Sequence, residues 1–239
     1  MIDVHSHIIP GIDDGARDME MSLAMARQTV QAGVTHLVCT PHIHWGYFNN
    51  TKDIIHSGFI QLEQELAKAG IALSLSFAGE VRVNEMIPLW LHEDKLPFIG
   101  QWNERNVLLL EMPHSHVPGG LDQLVRWLLS ENVQPLIPHP ERNRDILNSP
   151  EKIQWLRNLG CLVQVTAGAL TGRFGERVEN LAFKMLDNNQ IDLVASDTHD
   201  TTRRPNEMGE ARRLVKQHLG EDIAQRLFCD TPAAIVFSH

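Results

Sequence analysis

The stretch Ile2-Asp3-Val4-His5-Ser6-His7 decides how the rest of the chain is read. Ile2 and Val4 are β-branched and apolar, which favours a buried strand. Residues i and i+2 of a strand share a face, so His5 and His7 point to the same side and can grip one cation together. Asp13 and Asp14 follow just before Gly15 and add two carboxylates. A core strand that ends in paired imidazoles invites the question whether later strands end in the same way.

Short apolar, β-branched runs recur at 2–7, 35–40, 73–78, 107–111, 134–138, 161–166 and 191–196. The spacing is close to that of a βα unit, roughly thirty residues. Helical patterns lie between them at 19–32, 54–69, 121–132, 149–159, 178–189 and 207–219, with a short helix expected at 221–228. Gly33 and Gly70 are stop signals, and Ser149-Pro150-Glu151 reads as an N-cap with proline at the first helical position. Strand–helix alternation implies a parallel sheet with helices outside. Seven strands predict an α/β fold of the closed or nearly closed barrel type, with an open doubly wound sheet as the alternative. No G-x-G-x-x-G follows the first strand, which disfavours the dinucleotide-binding version.

The C-terminal ends of these runs carry the chemistry. They give His5 and His7, then His42 in C-T-P-H, Glu80 in A-G-E and Glu111 in L-L-E. His139 follows in H-P-E-R, and Asp197 and His199 in S-D-T-H. The sixth run ends V-T-A-G-A and offers no ligand. Active sites of α/β barrels form on this face. The competing reading is structural: core histidines with satisfied hydrogen bonds, and glutamates paired with arginines. A carboxylate after L-L-L is costly to bury unpaired, so it needs a cation in either case. A second H-x-H, His114-Ser115-His116, lies between Pro113 and Pro118 and reads as a rim loop. His36, His56, His92, His218 and His239 read as residues without chemistry, and His44 as ambiguous.

The 239 residues suit one domain, 1–239. Hydrophobic residues make up 43% of them, with no run long enough to span a bilayer. The polar, His-rich beginning argues against a secretory signal. The three cysteines, Cys39, Cys161 and Cys229, are scattered, so a reducing, cytoplasmic setting is expected. A net charge of −9 disfavours nucleic acid as the main partner. A cysteine-nucleophile phosphatase would need Arg six residues after Cys. The residues at that offset are Trp45, Ala167 and Ile235, which removes that mechanism.

Taken in order, H-S-H, D-D-G, T-P-H, A-G-E, L-L-E, H-P-E-R-N-R, F-G-E-R and A-S-D-T-H resemble the polymerase-and-histidinol-phosphatase (PHP) superfamily. The resemblance covers essentially the whole chain and is nearer to the capsule-locus branch, the manganese-dependent protein-tyrosine phosphatases. It implies a distorted (β/α)7 barrel with three divalent metal ions. Carried onto this chain, the first metal takes His5, His7, Glu80 and Asp197. The second takes Glu80, Glu111 and His139, and the third Asp14, His42 and His199. The choice of Asp14 leaves Asp13 to cap the turn before Gly15. Arg142 and Arg204 are the implied phosphate-binding residues, with Arg203 as the alternative to Arg204. The loop after Glu111 departs from the expected pattern in lacking a nearby arginine.

The resemblance favours manganese, while imidazole with carboxylate also suits iron or zinc. Three divalent cations outweigh four ligand carboxylates, which reconciles an acidic protein with an anionic substrate. The chemistry implied is in-line attack on phosphorus by a metal-bound hydroxide. The implied partner is the phosphotyrosine tail of a bacterial tyrosine autokinase that controls capsular or exopolysaccharide synthesis. No membrane insertion is expected. Relatives assemble, so a homo-oligomer is carried as an expectation, although no interface is legible. The rivals are a small-molecule phosphoesterase such as a histidinol-phosphate phosphatase, and a non-catalytic metal-binding regulatory partner.

Overall fold

The structure is a computed structural model and describes residues 1–238; His239 lies outside the described residues. Ten strands lie in chain order: β1 Ile2–Ser6, β2 His36–Cys39, β3 His42–Ile43, β4 Ser74–Phe77 and β5 Glu80–Arg82. They continue as β6 Gln101–Trp102, β7 Arg105–Glu111, β8 Val133–Pro138, β9 Leu162–Thr166 and β10 Leu193–Ala195. All main pairings are parallel, and the short β6 alone runs antiparallel, against β7.

These strands occupy seven positions around a distorted barrel. β2 and β3 are one run interrupted at Thr40-Pro41, and β4 and β5 are one run interrupted at Ala78-Gly79. Before the interruptions β1, β2 and β4 form one sheet; after them the order is β3-β5-β7-β8-β9-β10. The first and last strands meet through a single parallel bridge, Ser6 to Thr198, rather than a full ladder. Asp3 reinforces that seam: its buried carboxylate accepts from Ser196 N at 2.9 Å and from Asn206 Nδ2 at 2.9 Å. The expected architecture is therefore present, with irregular closure.

The period-2 pattern explains both the filling and the site. On β7, Val107 and Leu109 face the barrel interior, while Leu108 and Leu110 face the helices. Both faces are buried, as expected for a strand covered by helices on the outside. The interior cluster holds Ile2, Val4, Val38, Ala78, Leu136, Leu162, Leu193 and Ala195. Ile99 and Ile235, the latter on the closing helix Thr231–Val236, stopper the end where the strands begin. Going up each strand by twos leads from these apolar residues to Glu80, Glu111 and Asp197. On β1 the register slips by one residue between Asp3 and Ser6. Val4 therefore fills the interior and His5 and His7 still reach the mouth.

The main helices fall close to the expected ranges. Met19–Gln31 starts from Asp18, whose side chain accepts from Met21 N. Lys52–Lys68 starts from Thr51, whose hydroxyl accepts from Ile54 N. One cap is corrected: the helix Glu151–Asn158 has Pro150 at its N-cap and no side-chain cap, and Ser149 contributes only its carbonyl, to Lys152 N. Ile87–His92 and Ala167–Leu170 are additional helices, too short to show a full amphipathic period.

Candidate metal centre

The strand ends bring one imidazole–carboxylate cluster together at the mouth. His5 Nε2 lies 3.1 Å from His7 Nε2. Glu80 Oε2 stands 3.4 Å from the first and 3.3 Å from the second. Asp197 Oδ1 stands 3.3 Å and 3.4 Å from the same two nitrogens. Neighbouring nitrogen and oxygen donors about 2.1 Å from one ion stand about 3.4 Å apart, so the His5 and His7 nitrogens suit a cation shared with Glu80 Oε2, and Asp197 Oδ1 lies at the same range from both. A second grouping surrounds Asp14: its Oδ1 is 3.3 Å from His42 Nε2 and 3.4 Å from His199 Nε2.

The remaining candidates lie around Glu80. His139 Nε2 is 2.8 Å from Glu80 Oε1, and His42 Nδ1 is 2.9 Å from Glu80 Oε2 and 3.8 Å from Glu111 Oε2. His42 thus stands between the second and third ligand sets that the resemblance implies. Register explains the meeting of His42 with Glu80, which pair across β3 and β5. His139 and Asp197 reach the mouth on left-handed backbone, with φ of 40° and 53°.

The donor atoms have the chemistry of a cation site. Glu111 Oε2, Asp197 Oδ1 and His199 Nε2 are buried without a hydrogen-bond partner, and Glu80 Oε2 stands among the nitrogens of His5, His7 and His42. The Glu111 and Asp197 carboxylates are each paired with arginine through one oxygen only, Glu111 with Arg82 and Asp197 with Arg142 and Arg204, and the buried polar atoms left over are costly unless a cation stands among them. The residues present therefore fit divalent ions.

Asp13 and Asp14 have different surroundings. Asp13 Oδ2 is 2.8 Å from His7 Nδ1 and accepts from His42 N, while its Oδ1 accepts from Gly15 N. It orients His7 rather than facing the cluster centre, in the manner of carboxylates behind metal-bound histidines. Gly15 is required there, because a Cβ would come within 2.0 Å of the His7 carbonyl oxygen.

Both named arginines enter the cavity. Arg142 Nη2 and Arg204 Nη2 lie 2.8 Å and 2.5 Å from Asp197 Oδ2, and the Nε of each is buried without a partner. Asp200 Oδ1 accepts from the backbone of Thr202, Arg203 and Arg204 and so shapes the loop that turns Arg204 inward. The Arg203 side chain is 90% exposed and points away.

Matches to known proteins agree with this geometry. Residues 1–237 match the family described as capsular polysaccharide synthesis, CpsB/CapC. The chain belongs to the CpsB/CapC family. It is 33% identical over 227 residues to the tyrosine-protein phosphatase YwqE of Bacillus subtilis, covering 95% of this chain and 88% of that protein. It is 28% identical over 244 residues to CpsB of Streptococcus agalactiae, a tyrosine-protein phosphatase, covering 100% and 99%. A crystal structure from work on YwqE and Streptococcus pneumoniae CpsB, described as unique metal-dependent tyrosine phosphatases, superposes with a TM-score of 0.93 at 31% identity, covering 100% of this chain and 95% of that one. A lactonase of Listeria monocytogenes, 12% identical with a TM-score of 0.56, shares the fold alone and is matched over 98% of this chain and 94% of its own.

Several residues of this CpsB/CapC member escaped the linear reading. Arg82 pairs in register with Glu111, and its Nη1 lies 2.7 Å from Glu111 Oε1. The run expected to contribute nothing supplies Gln164, whose Oε1 is 3.0 Å from His5 Nδ1. The loop after it supplies Phe174, whose ring lies 4.8 Å beneath the Arg142 guanidinium. In that loop Arg173 grips Glu207 at 2.5 Å and donates to the carbonyl of Arg203, next to Arg204. His114 and His44 line the cavity, whereas His116 is exposed beside Ser115.

The cavity has a volume of about 190 Å³. Burial and the neighbouring Glu80 carboxylate push Glu111 up to about 7. Burial opposes charge on His42, yet Glu80 pulls it up to about 10. Burial and the adjacent His7 hold His199 down to about 4. Burial works against the Asp197 carboxylate, but Arg204 and Arg142 keep it well below the usual range. Cys39 and Cys161 are buried away from this cavity, their thiols pushed up by burial.

Proposed function

We propose that this chain hydrolyses phosphotyrosine on a bacterial tyrosine autokinase and thereby regulates capsular or exopolysaccharide synthesis. The observation that carries the reading is the meeting of two kinds of unpaired group in one cavity. Unpaired oxygens of Glu111 and Asp197 and the Nε2 of His199 face the place of a cation, and two arginine Nε–H groups are free for an anion. The tyrosine-phosphatase relatives reported above support the leaving group.

Nine residues would hold three divalent ions, with manganese favoured: His5, His7, Glu80 and Asp197; Glu80, Glu111 and His139; Asp14, His42 and His199. When bound, the ions activate water and neutralise charge on the phosphoryl group. The chain's own residues do the rest. Arg142 and Arg204 bind and orient phosphate oxygens, and Arg82 holds the Glu111 carboxylate in place. Burial of Gln164 behind His5 and of Asp13 behind His7 fixes both imidazoles. Tyrosine leaves as a phenolate whose conjugate acid has a pKa near ~10, so it needs less proton donation than an alkoxide. A cytoplasmic location follows from a kinase substrate of this kind; among the described residues no helix is long and apolar enough to cross a membrane.

The test is phosphate release by metal-stripped protein with and without added manganese, from a phosphotyrosine peptide, a matched phosphoserine peptide and histidinol phosphate. Manganese-dependent release chiefly from phosphotyrosine is expected. Preference for histidinol phosphate would overturn the substrate, and bound metal without turnover of any of the three would overturn the enzymatic reading.

A further inference from the structure

A second and larger pocket, of about 440 Å³, lies directly beside the candidate metal centre. The two cavities share a wall. His42 and His44 line the metal cavity, whereas Ile43 and Trp45 line the neighbouring pocket. Alternation along β3 and its extension produces this division, because successive side chains of extended backbone point to opposite sides. The chain then folds back at once: His44 N donates to Phe48 O and Phe48 N to His44 O, closing a tight turn. Phe48 lines the larger pocket, and its ring stacks on His42 at 5.5 Å with an interplanar angle of 9°. One aromatic ring thus separates the pocket from a residue at the metal cluster.

The lining specifies its occupant. Trp45 and Trp90 face each other with ring centroids 5.8 Å apart, and Ile43 and Leu96 complete the apolar floor. At the rim, Lys52 pairs with Asp94 at 3.2 Å and Lys95 with Glu93 at 2.6 Å, so most of the charge is already compensated. Such a pocket rejects an ion and accepts an aromatic or branched aliphatic side chain. Trp45 is 56% exposed and Tyr47 is 74% exposed at the tip of the turn. Large aromatics left open beside a site are typical anchors for a bound chain. A second copy of the protein seated there would crowd the mouth through which substrate enters. A peptide held in the mouth by its phosphotyrosine would meet the same turn, because residues of the segment 42–48 line both cavities.

We propose that the Trp45–Trp90 pocket is a specificity subsite that takes an aromatic or branched aliphatic side chain from the phosphotyrosine-bearing peptide, a few residues from the phosphotyrosine. The proposal rests on the phosphatase reading above. Extended peptide advances about 3.3 Å per residue, so a side chain within a few residues spans the shared wall.

The experiment compares kcat/KM on phosphotyrosine peptides that carry Trp or Leu at each flanking position, on an all-Ala-flanked peptide and on para-nitrophenyl phosphate. The protein is supplied with manganese and measured as wild type, Trp45→Ala and Trp90→Ala. Wild type should prefer one apolar flanking position by about tenfold, equivalent to about 1.4 kcal/mol, as for a buried aromatic anchor. Trp45→Ala should abolish that preference, lowering the ratio of apolar-flanked peptide to aryl phosphate about tenfold, chiefly through KM. No flanking preference in wild type, or a preference retained in both variants, would overturn the subsite while leaving the phosphatase intact. A Trp45→Ala variant that changes oligomeric state in sedimentation would also overturn it, by showing the pocket to be an interface between copies. Failure of wild type to hydrolyse para-nitrophenyl phosphate would instead strike the phosphatase reading, and the subsite with it.

Discussion

His139 and Asp197 hold left-handed backbone, at φ 40° and 53°, although neither is glycine. Such conformations cost about 1–3 kcal/mol each and persist where surrounding contacts enforce them. Here the enforcing contacts are His139 N to Gln164 O and Asp197 N to His5 O, both 2.9 Å. Two residues after His139 lies Glu141 of H-P-E-R, fully buried, with Oε1 accepting from Thr166 N at 2.9 Å. Burial pushes its carboxyl up to about 7, against the opposing charge of Arg142. The unfolded chain therefore releases this proton near pH 4.5 while the folded protein keeps it until about pH 7. Stability falls as pH rises through that window and is level above it, a loss of about 3 kcal/mol. Glu141→Gln keeps an acceptor for Thr166 and removes the titration. Urea unfolding of metal-stripped protein should show the Glu141→Gln variant about 3 kcal/mol more stable than wild type at pH 8 and nearly equal to it at pH 4. An equal difference at both pH values would refute the assignment.

At the scale of single elements, β9 is the strand without a predicted ligand, yet the loop that follows it braces both arginines. Phe174 carries Arg142 on its ring, and Arg173 ties Glu207 to the loop that holds Arg204. A cation–π contact of this kind contributes about 0.5–2 kcal/mol, more when desolvated. Phe174→Ala should lower kcat/KM on para-nitrophenyl phosphate about tenfold and weaken inhibition by inorganic phosphate to a similar degree. Phe174→Tyr should restore both, and elemental analysis should find the metal content unchanged in each. Loss of metal in Phe174→Ala would mean that the loop supports the ligands and not Arg142.

Across the whole molecule the barrel separates stability from chemistry. Apolar residues fill the end where the strands begin, and ionisable ones fill the end where they finish. Ile235, fully buried on the closing helix, stoppers the apolar end, with its carbonyl packed against Gly100. Ile235→Ala should cost about 2–5 kcal/mol of stability through the lost contacts and the cavity left behind. Metal content and turnover per folded molecule should stay at wild-type levels in the same preparation. A drop in bound metal alongside the destabilisation would show that the two ends are coupled.

The linear order of residues determined the fold class and the cluster of candidate ligands, because period-2 alternation and strand-end placement are local properties. His5 with His7, Glu80 after A-G, Glu111 after L-L-L and His139 in H-P-E-R could all be marked before any contact was known. Tertiary structure alone decided the supporting cast. Arg82 reaches Glu111 only through the register of β5 on β7, and Gln164 reaches His5 across 159 residues of chain. Asp13 parts from Asp14 because the Gly15 turn aims one carboxylate at His7 Nδ1 and leaves the other facing His42 and His199. The Trp45–Trp90 pocket joins a strand end to a helix whose pairing no local pattern encodes. Periodicity records which way a side chain points, whereas its partner depends on strand register and loop packing, which exist only once the chain has closed on itself.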